Sequence, residues 1–185
     1  DFNLWYTRVG EHLTRDLGLN ANRGTKLSTM PENQSDRAQR KILLVIVDDH
    51  PVFRQGLRNI FLTEEDIEIV AEGASGEQAL ELVHLHKPDV LLLDINLPGI
   101  NGLQAASRLK AEHAPTAIVL LTAYDDAEQI LHAMRSGASA YCPKDVEPEI
   151  LIWIVRQVSR GYYVVGNHIF DYDELKNWLE AGVEA

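Results

Sequence analysis

Four apolar runs of the chain end in polar residues. The first run, Ile42–Val47, leads directly into two carboxylates, Asp48 and Asp49. Three later apolar runs end at single polar residues, namely Asp94, Thr122 and Lys144. Two adjacent acids at the end of a buried strand are costly, because like charges repel and lose hydration. A divalent cation would offset that cost, so we interpret the acidic pair as half of a metal site.

These residue types together describe a particular chemistry. Three carboxylates near one point suit Mg²⁺, which prefers hard oxygen ligands. Lys144 would add an ammonium and Thr122 a hydroxyl donor, and such groups around one Asp describe phosphoryl transfer with that Asp as nucleophile. The product would be an aspartyl phosphate. Each residue alone has a simpler explanation, such as capping of the next helix by an Asp, so the hypothesis depends on the four strand ends meeting.

Strands and helices alternate over residues 41–161. Unbroken runs of Ile, Leu and Val predict buried strands at 42–47, 67–72, 90–93, 116–121 and 138–142. Capping residues, Pro and Gly predict helices at 51–62, 75–86, 102–112, 125–135 and 146–160. This spacing is typical of βαβ units, which form a parallel sheet covered by helices on both faces. Sites in such sheets lie outside the carboxyl ends of the strands, where the four polar ends should converge.

Composition narrows the class of protein. The chain has 185 residues, a formal net charge of −11 and one cysteine, Cys142. The acidic balance argues against a dominant nucleic-acid-binding surface, and one cysteine excludes an internal disulfide. No apolar run approaches the roughly 20 residues of a membrane span, so we expect a cytoplasmic protein without a membrane contact. Residues 1–40 are polar and are interpreted as an N-terminal extension, a linker or a disordered segment.

Four motifs resemble the receiver domain of two-component response regulators of the NarL/FixJ (LuxR-type) subfamily. They are VDDHPVFRQGL (47–57), LLLDINLPGINGL (91–103), LLTAYDD (120–126) and GASAYCPKD (137–145). Their order and spacing match that family over nearly all of residues 41–161. The resemblance implies an α/β flavodoxin-like (βα)₅ fold, a doubly wound parallel sheet of strand order 2-1-3-4-5. Residues 162–185 would then be a C-terminal linker helix.

The resemblance also implies a role for each residue that matches the family's site. Asp94 would be the phospho-acceptor. Mg²⁺ would be bound by Asp48, Asp49 and Asp94, directly or through water, and by the backbone carbonyl of Asn96. The phosphoryl group would contact Thr122 and Lys144, while Asn96 and Tyr124 would tune the rate of dephosphorylation. His50 matches a His-Pro pair that begins the first helix, so we assign it no catalytic role.

A switch is implied as well. Phosphorylation adds about −1.5 to −2 charges, Thr122 moves toward the phosphate, and Tyr141 rotates into the space that Thr122 leaves. The surface of the fourth helix, last strand and fifth helix would then change. The expected donor is a sensor histidine kinase, and the expected consequences are homodimerisation and control of transcription. The chain would not be an enzyme beyond catalysing its own phosphorylation and dephosphorylation.

The C-terminal tail is too short for the DNA-binding domain of this subfamily. Residues 171–181 predict one helix with Leu175, Trp178 and Leu179 on an apolar face, which we expect to pack on the receiver. Lys176 is the only Lys or Arg of 162–185, among five acids, so we expect no DNA binding by this chain alone, although the full-length protein would bind DNA. The alternative is a stand-alone receiver or a pseudo-receiver that acts through protein contacts.

Two other classes of α/β protein fit less well. A haloacid-dehalogenase-type phosphatase needs a second Asp two residues after its nucleophile, where this chain has Asn96. A nucleotide- or flavin-binding domain needs a glycine-rich phosphate loop after the first strand, and the residues after Val47 lack one.

Overall fold

The structure is a computed structural model, and it describes residues 40–123, 127–166 and 168–181. The predicted N-terminal extension, apart from Arg40, and the predicted tuning residue Tyr124 lie outside the described residues. Within those ranges, no helix is both long and apolar enough to cross a bilayer.

A mixed sheet forms the centre of the described chain. Its strands are β1 (Ile42–Val47), β2 (Ile67–Gly73), β3 (Val90–Asp94), β4 (Ala117–Thr122), β5 (Ala140–Pro143), β6 (Tyr163–Val165) and β7 (His168–Phe170). The helices are α1 (Pro51–Phe61), α2 (Gly76–His86), α3 (Gly102–Ala111), α4 (Ala127–Arg135), α5 (Pro148–Ser159) and α6 (Tyr172–Ala181). The strand order is β2-β1-β3-β4-β5-β6-β7, parallel from β2 through β6. The predicted parallel α/β fold of order 2-1-3-4-5 is therefore confirmed.

The sheet continues beyond the predicted fifth strand. In β6, Val164 pairs with Ala140 of β5, and the Val164 amide donates to Ser139 O at 2.8 Å. Strand β7 then pairs antiparallel with β6. Residues 162–185 are predicted as a C-terminal linker helix, so the prediction misses β6 and β7. Apolar runs of three residues are too short to identify a strand by pattern. The tail helix was predicted correctly, one residue longer than α6.

The unbroken apolar runs are explained by two cores, one on each face of the sheet. Along β1, Leu44 and Ile46 face the core that α1 and α5 cover, whereas Val45 and Val47 face the core that α2, α3, α4 and α6 cover. Because alternate side chains of a strand point to opposite faces, a strand buried on both sides must be apolar throughout. The dry interior stops at the carboxyl ends of the strands, where the polar residues begin.

Candidate metal and phosphoryl-acceptor site

Central strands place two buried carboxylates at the carboxyl end of the sheet. Asp48 follows β1 and Asp94 ends β3, and both are fully buried. The Asp48 amide donates to Gly73 O at 3.1 Å, which continues the ladder to β2 one residue past β1. Asp49, next in the chain, is about one-third exposed. The three carboxylates therefore lie between the dry core and solvent.

Lys144 connects the two buried acids. Its backbone amide donates to Thr122 O at 2.7 Å, which fixes the residue after β5 against the end of β4. Its Nζ lies 2.7 Å from Asp48 Oδ2 and 2.8 Å from Asp94 Oδ2. Burial acts to lower the pKa of this ammonium, but its close contacts with the Asp48 and Asp94 carboxylates and their negative charges outweigh burial, so the pKa lies above that of an ordinary lysine. Lys144 is therefore a fixed positive charge of the site.

The acids nevertheless exceed the cations. Three carboxylates and the His50 ring offer ligand atoms that all lie within 4.8 Å of one another, and Lys144 supplies one positive charge. Asp48 Oδ2 and Asp49 Oδ1 are buried and accept no well-aligned hydrogen bond, although Lys144 Nζ and His50 Nδ1 lie 2.7 and 2.9 Å from them. Buried carboxylate oxygens without donors are unfavourable. The residues present therefore fit a hard divalent cation, as predicted for Mg²⁺.

The loop after β3 fixes the Asp94 carboxylate. The Asn96 amide donates to Asp94 Oδ1 at 3.1 Å, so that Oδ2 faces Lys144. The Gly102 amide, at the start of α3, donates to Ile95 O at 2.9 Å. A Cβ atom at Gly102 would collide with the backbone carbonyl of Asp94, so only glycine lets α3 begin this close to β3.

The two predicted switch residues are both buried. Thr122 ends β4 and is 1% exposed. Tyr141 lies in the middle of β5, pairs with Leu120 and is also 1% exposed. The Tyr141 ring belongs to the core on the α4 side of the sheet. The structure thus holds the aromatic side chain inside the protein.

Comparison with known proteins identifies the family. The response regulator receiver domain family matches residues 44–156, which is more than half of the chain. This chain belongs to the response regulator receiver family. It is 39% identical over 144 residues to the transcriptional regulatory protein DegU of Brevibacillus brevis, covering 75% of this chain and 61% of that protein.

Two further proteins place this receiver in the predicted NarL/FixJ group. The nitrate/nitrite response regulator protein NarL of Escherichia coli (strain K12) is 35% identical over 127 residues, which are 69% of this chain and 59% of that protein. The solved signal receiver domain of NarL from Mycobacterium tuberculosis superposes with a TM-score of 0.65 at 33% identity, over 66% of this chain and 98% of the domain. The receiver spans about three fifths of the length of the two curated relatives.

Most of the predicted site residues of this receiver meet at one place. Lys144 contacts both Asp48 and Asp94, and Asp49 offers a ligand atom within 4.8 Å of theirs. Thr122 joins them through its backbone bond to Lys144. Asn96 is exposed on the loop beside Asp94.

Helix α1 and its N-cap residue bring three further residues to the site. None of the three was predicted to belong to it. His50 is the N-cap residue of α1, as its predicted helix-start role requires, and its ring also lies beside Asp49. Phe53 presents its ring 4.8 Å from Lys144 Nζ. Arg54 Nη1 donates to Asp48 O at 2.5 Å. These residues stand inside the VDDHPVFRQGL motif, so a helical projection of residues 50–54 toward Asp48 could have indicated them.

Proposed function

We propose that this receiver takes a phosphoryl group onto Asp94 from a sensor histidine kinase, with Mg²⁺ as cofactor. The observation that carries the proposal is the fully buried Asp94 carboxylate, which lies 2.8 Å from Lys144 Nζ and beside two further acids. A buried nucleophile next to a fixed cation, with excess acid to hold a metal ion, suits transfer of an anionic group.

Each residue of the site would have a separate role in phosphoryl transfer. Asp48, Asp49 and Asp94, with the Asn96 carbonyl, would hold Mg²⁺, which when bound offsets the negative charge of the phosphoryl oxygens. The Asn96 amide holds Asp94 Oδ1, so Asp94 keeps one orientation. An Asp94 oxygen would form the new bond to phosphorus as the bond to the donor's leaving nitrogen breaks. Lys144 would attract the transferred oxygens, together with the Thr122 hydroxyl.

The switch is proposed on the same basis. Thr122 would move toward the phosphoryl group and Tyr141 would rotate into the space that Thr122 leaves, which would keep the ring buried and change the surface formed by α4, β5 and α5. Asn96 and Tyr124 would tune the lifetime of the phosphate. The chain would then catalyse only its own phosphorylation and dephosphorylation.

The output of the whole protein is proposed from its relatives. DegU is named as a transcriptional regulatory protein and NarL as a nitrate/nitrite response regulator protein. We propose control of transcription, with DNA binding by a part of the full-length protein outside this chain and dimerisation on phosphorylation. Residues 1–40, 41–161 and 162–185 would be the extension, the receiver domain and the connection to the output. The cytoplasmic setting remains a prediction.

The test is intact mass after incubation with acetyl phosphate and Mg²⁺. We expect a gain of one phosphoryl group in the wild-type chain and none in Asp94→Ala. Circular dichroism would check that the variant is folded. A gain in both proteins would mean that the acceptor is a residue other than Asp94. No gain in either protein would leave a pseudo-receiver that acts through protein contacts.

A further inference from the structure

The C-terminal segment β6–β7–α6 shares a core with the switch tyrosine. Parallel pairing of Ala140 with Val164 places Tyr141 beside Val165, and both side chains face the α4 side of the sheet. Leu175 and Trp178 of α6 are buried in that same core. The segment therefore forms part of the packing around Tyr141.

Outward rotation of Tyr141 would disturb that packing. Tyr141 is among the largest fully buried side chains of the described chain, and Val165 is also completely buried. Interiors are close-packed, so a ring of this size cannot leave its position while its neighbours stay fixed. Exposure of the Tyr141 ring is therefore disfavoured while the segment is fully docked.

The contact between α6 and the sheet is incompletely satisfied. The Trp178 indole N–H is buried and has no acceptor in the described chain. The hydrogen bond from Arg135 Nη2 of α4 to Leu179 O of α6 is long, at 3.3 Å. A cleft of about 750 Å³ also opens beside α6, with Tyr172, Leu175 and Leu179 in its wall. A buried donor without an acceptor weakens a contact, so α6 is suited to leave and return.

We propose that docking of the β6–β7–α6 segment is coupled to burial of Tyr141, so that phosphorylation of Asp94 holds the segment more tightly against the receiver. This inference rests on the proposed function, because that function ties burial of Tyr141 to the phosphorylated state. The segment would then transmit the state of the site along the chain, in addition to any surface change at α4, β5 and α5. Coupling of this kind is reciprocal, so loosening the segment must also loosen Tyr141.

The first test is amide hydrogen exchange of residues 172–181 in the full chain, with and without acetyl phosphate and Mg²⁺, on samples whose intact mass is known. We expect exchange of these amides to slow about fivefold to tenfold in phosphorylated protein, which is the lower part of the range of common allosteric couplings. The Asp94→Ala chain should show no slowing. Unchanged or faster exchange in a sample that carries the phosphoryl group would overturn the inference and leave the proposed function standing. No phosphoryl gain would overturn the proposed function instead.

The second test needs no phosphate. Leu175→Ala should speed exchange of α6 and also of residues 140–142 in β5, while exchange in β1 and β3 should be unchanged and so show that the sheet is intact. The matched control is Lys176→Ala, whose side chain is largely exposed on the same helix and should affect neither region. Faster exchange in α6 alone, with β5 unaffected by Leu175→Ala, would contradict the coupling.

Discussion

The acidic residues at the two ends of the sheet differ in how well cations and amides pair with them. At the end where the strands begin, Arg156 of α5 bonds to Asp66 at 2.7 and 2.8 Å and to Glu64 at 2.6 Å. Asp89 accepts hydrogen bonds from the Leu43 amide and from the Arg40 guanidinium. At the end where the strands finish, Asp48 and Asp94 share the one ammonium of Lys144. The buried oxygens Asp48 Oδ2 and Asp49 Oδ1 have no well-aligned hydrogen bond.

This difference distinguishes acids that stabilise the fold from acids that fit the proposed site. Where each acid has a matching cation or amide, the group stabilises the fold and needs nothing more. Where acids exceed cations in a buried cluster, the fold is less stable than it could be, and such an imbalance is typical of a binding or catalytic site. The carboxyl end of the sheet thus gives up some stability, as the chemistry proposed for Asp94 requires.

The largest effect on the free energy of unfolding is expected from removing the Lys144 ammonium at the carboxyl end of the sheet. Lys144→Met would leave two fully buried carboxylates without their cation. The free energy of unfolding in EDTA should fall by about 3 kcal/mol. Urea denaturation measures this, and Lys176→Met, at a largely exposed lysine, should change the value by no more than about 0.5 kcal/mol. Equal, small effects of the two variants would mean that the acids are not held by Lys144.

A change in backbone geometry at the same end of the sheet should have the next largest effect on the free energy of unfolding. Gly102→Ala would place a methyl group against the Asp94 carbonyl and should lower the free energy of unfolding by about 2 kcal/mol. It should also reduce phosphorylation, because Asp94 must shift. Gly56→Ala is the matched control, because a Cβ there meets no neighbour within 4 Å, and it should stabilise α1 by about 0.5 kcal/mol. Thermal denaturation would contradict this account if it ranked the two variants alike.

Neutralising one acid at each end of the sheet should change the free energy of unfolding in opposite directions. Asp49→Asn would remove a like charge from the uncompensated cluster and should raise the free energy of unfolding in EDTA by about 0.5–1 kcal/mol. Asp89→Asn would weaken two satisfied hydrogen bonds and should lower it by about 1 kcal/mol. If both substitutions destabilise the chain in urea denaturation, the acidic end is not under electrostatic strain.

The smallest expected effect concerns pH. The hydrogen bond from Arg156 holds the pKa of Asp66 below its ordinary value, against the opposing effect of burial. A lowered folded pKa means that this stabilisation is complete above the unfolded pKa of about 3.9 and is lost as pH falls through the folded value. Because Asp66 is half exposed, Asp66→Asn should cost only about 0.5 kcal/mol at neutral pH.

That pH dependence can be measured against a neighbouring acid. The stability difference between wild type and Asp66→Asn should shrink as urea denaturation is repeated at increasingly acidic pH. Glu65→Gln, at an exposed acid of the same turn, should show no such trend. A difference that grows on acidification would contradict the sign argued here.

The fold was predictable where a pattern is long. The runs that became β1, β3 and β4 are buried on both faces, so their sequences contain no polar interruption. The short strands β6 and β7 could not be found this way, because three residues carry no period and their pairing depends on β5 being next to them. Their position is set by tertiary contacts rather than by local preference.

The site was predictable as a set of strand ends and less so as a set of contacts. Parallel strands bring their carboxyl ends together, which is why Asp48, Asp94 and Lys144 could be grouped from sequence. The ring of Phe53 over Lys144 and the bond from Arg54 to Asp48 O depend on the rotation of α1 about its axis. A hydrophobic pattern gives that rotation only approximately. The capping box of Asn101 and Gln104 at α3 was also not predicted, although it is a local sequence pattern and could have been found.

Calorimetric titration with Mg²⁺ tests the difference between the two ends most directly. The account predicts one Mg²⁺ bound per chain, affinity at least about tenfold weaker in Asp49→Asn, and affinity unchanged in Asp66→Asn. The same Asp49→Asn substitution should stabilise the metal-free protein while it weakens metal binding. Absence of Mg²⁺ binding by the wild-type chain, or equal affinity in all three proteins, would contradict the claim that the uncompensated acids form the metal site.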